Sequence, residues 1–326
     1  MSKNHHKALA YGKGSVLAYR TYLSSLTGVK EISESSFQGR SNILFAANVE
    51  VTVAGEAFRS SFSEGDNSLV VATDSMKNFI QRHLGTFEGT TMEGFLDYTA
   101  RTFLDKYDQI SSVELKGDLL SFEQMDRTKA EERSASQLVF KQSNNEQSQA
   151  TIQIQRTDSE YEVTKQQSSL KDLQLIKVQG NSFSGFVRDE YTTLPEDSNR
   201  PLFIYLNIHW TYEHDHEALG DQPLKYVAAE QIRDLAASIF DQTETKSIQH
   251  LIYVIGCKVL TTFPQLLHVT FESQNHTWDL IVDDIPNSEG KVYTEPRPPY
   301  GFQLFTVTRE DAAREQAKQQ SAESAQ

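Results

Sequence analysis

Val70-Val71-Ala72-Thr73-Asp74-Ser75-Met76-Lys77-Asn78 carries an apolar run straight into a Thr-Asp pair, with neither glycine nor proline to soften the change. Valine-rich runs favour the pleated strand, and residues 75 to 84 switch to helical spacing. The stretch reads as a strand handing over to a helix, with functional side chains delivered at the junction. Thr73 or Asp74 is expected to cap that helix, because a side-chain oxygen there can accept from one of its first free N–H groups. A second polar-tipped segment lies about one domain length downstream. There Phe183-Ser184-Gly185-Phe186-Val187-Arg188-Asp189-Glu190-Tyr191-Thr192-Thr193-Leu194 again passes from apolar residues into carboxylates and hydroxyls.

Working outward from the first junction, residues 11 to 23 alternate, and residues 42 to 53 do so more strictly through Ile43, Phe45, Val49, Val51 and Val53. Both are predicted half-buried strands. Residues 91 to 107 place Phe95, Tyr98, Thr99, Thr102, Phe103 and Tyr107 near one helix face, and period-2 spacing returns at 112 to 122. The polar stretch 124 to 149, interrupted by Leu138-Val139-Phe140, reads as a hairpin with a mobile tip. From about residue 150 the order recurs. Strands at 151 to 156, 161 to 167, 174 to 178 and 202 to 210 precede helices at 226 to 240 and 244 to 257, and strands at 265 to 273 and 277 to 282 close the round.

Strands interleaved with paired helices predict an α+β fold, with antiparallel sheets carrying their helices on one face. The expected domains are 1–150 and 151–309, followed by a polar tail at 310–326 that is a frayed helix or disordered. Open sheet edges of this kind are commonly covered by further copies of the chain, so an oligomer is expected.

The composition of the 326 residues bounds the function. A 38% hydrophobic share with 13 Tyr and 18 Phe describes a folded chain. A net charge of −14 without a basic cluster argues against nucleic acid as a partner. No run approaches the roughly 20 apolar residues of a membrane-spanning helix. The one cysteine, Cys257, sits in an apolar run, which makes it a buried structural thiol and suits a reducing, cytoplasmic setting.

Several side chains could carry chemistry. Lys13 stands between Gly12 and Gly14, where glycine permits close backbone approach and a lysine held in a dry pocket can act as a base; a solvated turn lysine has the same signature. Arg200 precedes Pro201 and a strand, and could fork onto a planar anion or form a surface ion pair. Gln249, after Ile248, could donate and accept at once or simply face solvent from a helix. Gln274-Asn275-His276-Thr277 ends a strand. His214 and His216 would share a strand face but lack defined third and fourth ligands, so no metal site is predicted. No phosphate-binding glycine loop or nucleophile elbow occurs.

Taken together, Tyr11-Gly12-Lys13, Val71-Ala72-Thr73-Asp74-Ser75-Met76-Lys77-Asn78, Gly185-Phe186-Val187-Arg188-Asp189-Glu190-Tyr191-Thr192-Thr193-Leu194 and Thr306-Val307-Thr308-Arg309 resemble the urate oxidase (uricase) family, from Tyr11 to about Arg309. The resemblance implies two tandem tunnelling-fold domains, each an antiparallel sheet backed by two helices, oligomerising into a barrel. It also implies a homotetramer with active sites at subunit interfaces. The implied reaction is oxidation of urate by dioxygen and water, without metal or organic cofactor. Lys13 and Thr73 match the family's catalytic pair, and Asp74 lines the same site. Phe183 matches the ring that stacks on urate, and Arg200 and Gln249 match the side chains that grip its edges. Leu194 and Ile248 match apolar or backbone contacts. Asn275 matches the asparagine above the substrate ring, which puts Thr277 at the family's histidine; aligning on His276 instead puts Gln274 at the asparagine position. The competing expectations are a tunnelling-fold enzyme acting on a pterin or purine by another reaction, and a catalytically silent purine-binding protein.

Overall fold

Alternating apolar residues give strands, and their buried sides dictate where the helices lie. A computed structural model of the chain describes residues 9–129, 132–142, 146–158, 160–193, 196, 201–220, 223, 225–244, 246–277, 279–282, 284–288, 290–294 and 297–323. In chain order the elements are β1 (Ala10–Thr21), β2 (Leu44–Ala54), the short α1 (Arg59–Ser63), α2 (Thr73–Thr86), α3 (Met92–Lys106), β3 (Ser112–Leu119), β4 (Phe122–Lys129), β5 (Glu132–Gln142), β6 (Gln147–Arg156) and β7 (Tyr161–Lys177). They continue with β8 (Leu202–Tyr212), α4 (Ala229–Gln242), α5 (Ile248–Thr262), β9 (Leu266–Thr277), β10 (Leu280–Val282), β11 (Val292–Tyr293), β12 (Arg297–Thr308) and α6 (Arg309–Glu323). Among the described residues no helix is long and apolar enough to cross a membrane.

Contacts divide the chain into two units. The first comprises Met1–Glu31, Ser36–Ser169 and Thr211–Ala229, and the second Ile32–Ser35, Leu170–Trp210 and Glu230–Gln326. In the first unit the strand order runs β1-β2-β3-β6-β7, with β1–β2, β2–β3 and β3–β6 all antiparallel. One face of this sheet is dry: Phe45, Val51 and Val53 of β2, Leu115 of β3 and Ile152 of β6 pack in one cluster with Met76 and Ile80 of α2 and Phe95 and Phe103 of α3. In the second unit the order is β7-β8-β9-β12, and β9 and β12 are antiparallel. The alternation is legible along β8, where Ile204, Leu206, Ile208 and Trp210 are buried. A Cβ on Gly256 of α5 would meet the Val307 side chain of β12 at 2.4 Å, so this glycine lets helix and strand approach closely.

A helix ends with carbonyls that no helical N–H can reach, and at the ends of α2, α3, α4 and α5 a basic side chain at or directly after a strand end meets them. Arg20 of β1 donates to the Leu84 and Phe87 carbonyls at the end of α2. Lys177 of β7 donates to Phe240, Asp241 and Thr243 at the end of α4, at 3.0, 3.0 and 2.8 Å. Arg156 of β6 reaches the Leu104 carbonyl of α3, and Arg309, directly after β12, reaches Leu260, Phe263 and Leu266 around the end of α5. In the first unit β1 thus caps α2 and β6 caps α3, and in the second β7 caps α4 and the residue directly after β12 caps α5.

Three expectations about the fold need correction. Val70–Ala72 is not a strand but an extended entry to α2. Both backbone groups of Val71 are taken by the Tyr11 hydroxyl, which leaves them unavailable to a ladder. Neither Thr73 nor Asp74 caps α2: the N-cap is Ala72, without a side-chain bond, and Thr73 is the first helical residue. The strands expected at 161–167 and 174–178 are one strand, β7, because Gln166, Ser168 and Ser169 are buried polar residues that hide its alternation. The polar tail takes the helical of its two expected states, as α6 to Glu323, and the strand β12 precedes it. The hairpin read in 124–149 is present as antiparallel β4–β5.

Candidate functional site

The first cluster is built where β1 meets the start of α2, within the first unit. Lys13 pairs across the sheet with Val51, and Tyr11 with Val53. Directly opposed residues point to the same side of a sheet. Val51 and Val53 are buried on the helix side, so Tyr11 and Lys13 face α2. Gly12 lies between them because a Cβ there would stand 1.9 Å from the Val51 carbonyl oxygen. After Lys13 the register slips by a bulge, with Ser15 at φ 56°, which bends the strand next to the lysine.

Tyr11 locks the two segments together. Its hydroxyl accepts from Val71 N–H at 2.7 Å and donates to Val71 C=O at 3.2 Å. Burial pushes its phenol above the usual range. Two residues beyond Tyr11 comes Lys13, and two beyond Val71 comes Thr73, at the N-terminus of a helix whose free N–H groups favour negative charge. Asp74 follows, exposed, with Oδ1 accepting from Lys77 Nζ at 2.7 Å and Oδ2 from Asn78 Nδ2 at 3.0 Å. The Lys77 ammonium, foremost by its hydrogen bond, holds the Asp74 carboxyl below its usual range, and Lys13 adds a smaller pull. Lys13, Thr73 and Asp74 are therefore brought together in one place.

The second set lies in the other unit. Phe183 follows β7 and stacks on Phe186, with ring centroids 4.9 Å apart and planes 12° from parallel. The motif after it folds on itself: Asp189 Oδ1 accepts from Tyr191 N–H and the Thr192 hydroxyl. These carboxylate and hydroxyl groups form a self-contained turn. Ile248 and Gln249 are the first residues of α5, whose N-cap Ser247 accepts from His250 N–H. Ile248 is buried, and Gln249 lines an open groove of about 530 Å³ with Tyr253, Leu304 and Phe305. Leu194 and Arg200 lie outside the described residues.

On β9, Val269, Phe271 and Ser273 are buried, so Asn275 continues the helix-bearing face and His276 the other. Asn275 pairs with Gly301, where an added Cβ would crowd the Asn275 Oδ1 at 2.9 Å. His276 lies between rings, 4.7 Å from Tyr300 and 4.5 Å from Tyr205, with Nε2 at 3.2 Å from Gln274 Oε1. The rings of Tyr205 and Tyr300 carry no sequence signal, since nothing local in the chain predicts their meeting.

His214 and His216 do not share a strand face, because β8 ends at Tyr212 and the two rings stack at its exit. Among the described residues, no group of three or more His, Cys, Asp or Glu is arranged to hold a metal ion. Cys257 is buried, and burial foremost pushes its thiol up to about 11.

A family model described as uricase matches residues 166–303. The chain is 48% identical over 303 residues to the uricase of Haloferax volcanii, covering 92% of this chain and 98% of that protein. This chain belongs to the uricase family. It is also 58% identical over 312 residues to the uric acid degradation bifunctional protein PucL of Bacillus subtilis, covering 96% of this chain. It spans only 63% of that longer uricase relative. A crystal structure of the urate oxidase from Bacillus sp. TB-90 superposes with a TM-score of 0.90 at 60% identity, covering 92% of this chain and 100% of that one. The uricase likeness thus extends over both units, well beyond the region matched by the family model.

Proposed function

We propose that the chain catalyses the cofactor-independent oxidation of urate: urate, dioxygen and water give 5-hydroxyisourate and hydrogen peroxide. The observation that carries this reading is the Tyr11–Val71 bracket, which sets Lys13 beside the start of α2, where Thr73 stands, in a chain of the uricase family. Lys13, acting through the Thr73 hydroxyl and a water, removes a proton from the urate monoanion. The electron-rich species that results donates to dioxygen directly. A peroxide forms at ring carbon C5, and attack by water releases hydrogen peroxide and leaves the hydroxyl. Thr73 and Asn275 hold dioxygen or water over the ring. Positioned proton transfer of this kind contributes about 100- to 10,000-fold.

Urate is a planar anion, so one aromatic face and two hydrogen-bonding edges suffice to fix it. Phe183 supplies the face, Arg200 and Gln249 the edges, Leu194 and Ile248 the flanking contacts, and Asp74 the wall near Lys13. The proposed assembly is a cytoplasmic homotetramer of tandem tunnelling-fold chains closed into a barrel. In it the Lys13 cluster of one copy completes the Phe183 and Gln249 set of a neighbour. The repeated strand-to-helix capping by Arg20 and Lys177, and by Arg156 and Arg309, supports the duplication.

The deciding experiment uses chelator-treated protein with urate and air, following loss of urate absorbance together with oxygen uptake and peroxide formation. Turnover with all three signals is expected. Loss of turnover on chelation would overturn the cofactor-independent reading, and tight urate binding without turnover would favour a silent binder.

A further inference from the structure

Lys13 stands at a break in an otherwise regular ladder. β1 pairs with β2 in unbroken register from Ala10 to Lys13 and again from Val16 to Thr21; between the two runs Gly14 and Ser15 together oppose Glu50. The β2–β3 and β3–β6 ladders beside it run in continuous register. Ser15 is held at φ 56°, a left-handed conformation uncommon for any residue but glycine. On the other side of the lysine, Gly12 brings β1 so near β2 that an added Cβ would stand 1.9 Å from the Val51 carbonyl oxygen. The backbone therefore departs from a plain strand on both sides of Lys13.

The pairing itself does not need the extra residue. Without Ser15, Gly14 alone would oppose Glu50, while Lys13 kept Val51 and Val16 kept Val49. Nor does the bulge choose the face of the lysine. Lys13 before it and the buried Val16 and Ala18 after it lie on the helix side, as they would in a regular strand one residue shorter. What a bulge does change is direction, because it bends its strand and tightens the local twist. Lys13 is the last paired residue before that bend, so the bend sets the line along which its side chain leaves towards the start of α2. Backbone strain that gains nothing in pairing persists where geometry matters to function.

We propose that the Gly14-Ser15 bulge is a positioning element for the proton relay, aiming Lys13 at the N-terminus of α2, where Thr73 stands. The inference rests on the urate oxidase reading and deepens it. The role belongs to the backbone and not to the Ser15 hydroxyl. The competing role is to blunt a sheet edge, since β1 is the terminal strand, and that role has no bearing on turnover.

The test compares steady-state urate oxidation, melting temperature and amide hydrogen exchange for the wild-type chain, a variant lacking Ser15, and Ser15→Gly and Ser15→Asn. Glycine and asparagine both accept the left-handed conformation, so these two variants keep the bulge and the wild-type kcat. Deletion of Ser15 lowers kcat about a hundredfold, the effect of misplacing a reacting group by roughly 1 Å. The KM for urate stays at the wild-type value, the melting temperature does not fall, and exchange shows the β1–β2 ladder intact on both sides of the deletion. A deletion variant with wild-type kcat overturns the proposal in favour of edge protection. A lost ladder or a lowered melting temperature also overturns it, by making the bulge a feature of folding, and so does a glycine or asparagine variant as slow as the deletion. Each of these results leaves the urate oxidase reading standing, whereas a wild-type chain that does not oxidise urate takes both down.

Discussion

The Tyr11 hydroxyl sits between the N–H and the C=O of Val71, accepting from one at 2.7 Å and donating to the other at 3.2 Å. One side chain on β1 thereby does for Val71 what a neighbouring strand would do, and it fixes the entry to α2. Tyr11→Phe removes both bonds and leaves two partly buried backbone groups without that partner. The expected cost is about 1–3 kcal/mol of stability, read from denaturant unfolding. A displaced Thr73 would also lower kcat for urate more than it raises KM, which steady-state kinetics would separate from a plain loss of stability.

Lys13→Met is expected to leave urate binding largely intact while slowing oxidation by about 100- to 10,000-fold, because the lysine is assigned to proton transfer and not to the substrate's edges. Thr73→Val should fall in the same range. The double variant should be little worse than either single one, since groups that act as a unit are not additive. Equilibrium urate binding and stopped-flow oxidation on the same preparations check this; unchanged oxidation in Lys13→Met would sink the relay.

Asn275 and His276 lie on opposite faces of β9, Asn275 on the face that α5 covers. Asn275→Ala should therefore reduce oxidation with little change in fold, because its amide is assigned to hold dioxygen or water. His276→Ala should loosen the Tyr205 and Tyr300 rings and act mainly on thermal stability. Oxygen-uptake rates beside melting curves discriminate the two, and a larger rate loss in His276→Ala would move the functional register by one residue.

What was legible in the sequence tracks how locally each feature is determined. β8 alternates strictly, and β2 does so from Ala47 to Ala54, because every second residue there is core, so periodicity alone finds them. Val70–Ala72 misled because apolar character reports burial and not the partner that takes the backbone bonds; that partner, Tyr11, is 60 residues away. In the sequence β7 reads as two strands because a buried serine or glutamine looks like a solvent-facing one. β12 escaped because its apolar residues are largely exposed, Phe302 at 75%, and a strand without a dry face has no alternation to read. The same holds for the site. Lys13 and Thr73 are marked by motif resemblance, whereas the rings around His276 depend on tertiary placement.

The four basic caps predict a stability pattern that repeats between the units. Arg20→Met and Lys177→Met each strip a charged donor from two or three helix-end carbonyls, and each should cost about 1.5–3 kcal/mol. Arg156→Met and Arg309→Met should behave as a second matched pair. Amide hydrogen exchange should localise each loss to the last turn of the capped helix: α2, α4, α3 and α5 respectively. Caps that mattered in one unit only would argue against equivalent roles for the paired strands.

Glu93, in the first turn of α3, is fully buried, with Oε1 accepting from Ser168 Oγ at 2.6 Å and Oε2 without a hydrogen-bond partner among the described residues. Burial holds its carboxyl above the usual range, although Ser168 and the nearby Arg40 and Tyr226 pull the other way. A carboxyl whose folded pKa exceeds its unfolded value binds more protons in the folded state. Its contribution is therefore fully present below the unfolded value of 4.5 and fades as pH rises from there through the raised folded pKa. Glu93→Gln keeps the shape, cannot ionise, and so should flatten the fall in stability on the alkaline side of that window. Melting temperatures of the wild-type chain and Glu93→Gln between pH 4 and pH 9 test this. The curves should draw apart as pH rises, with the variant above; curves that stay parallel would mean that Glu93 is ionised throughout, held by Arg40.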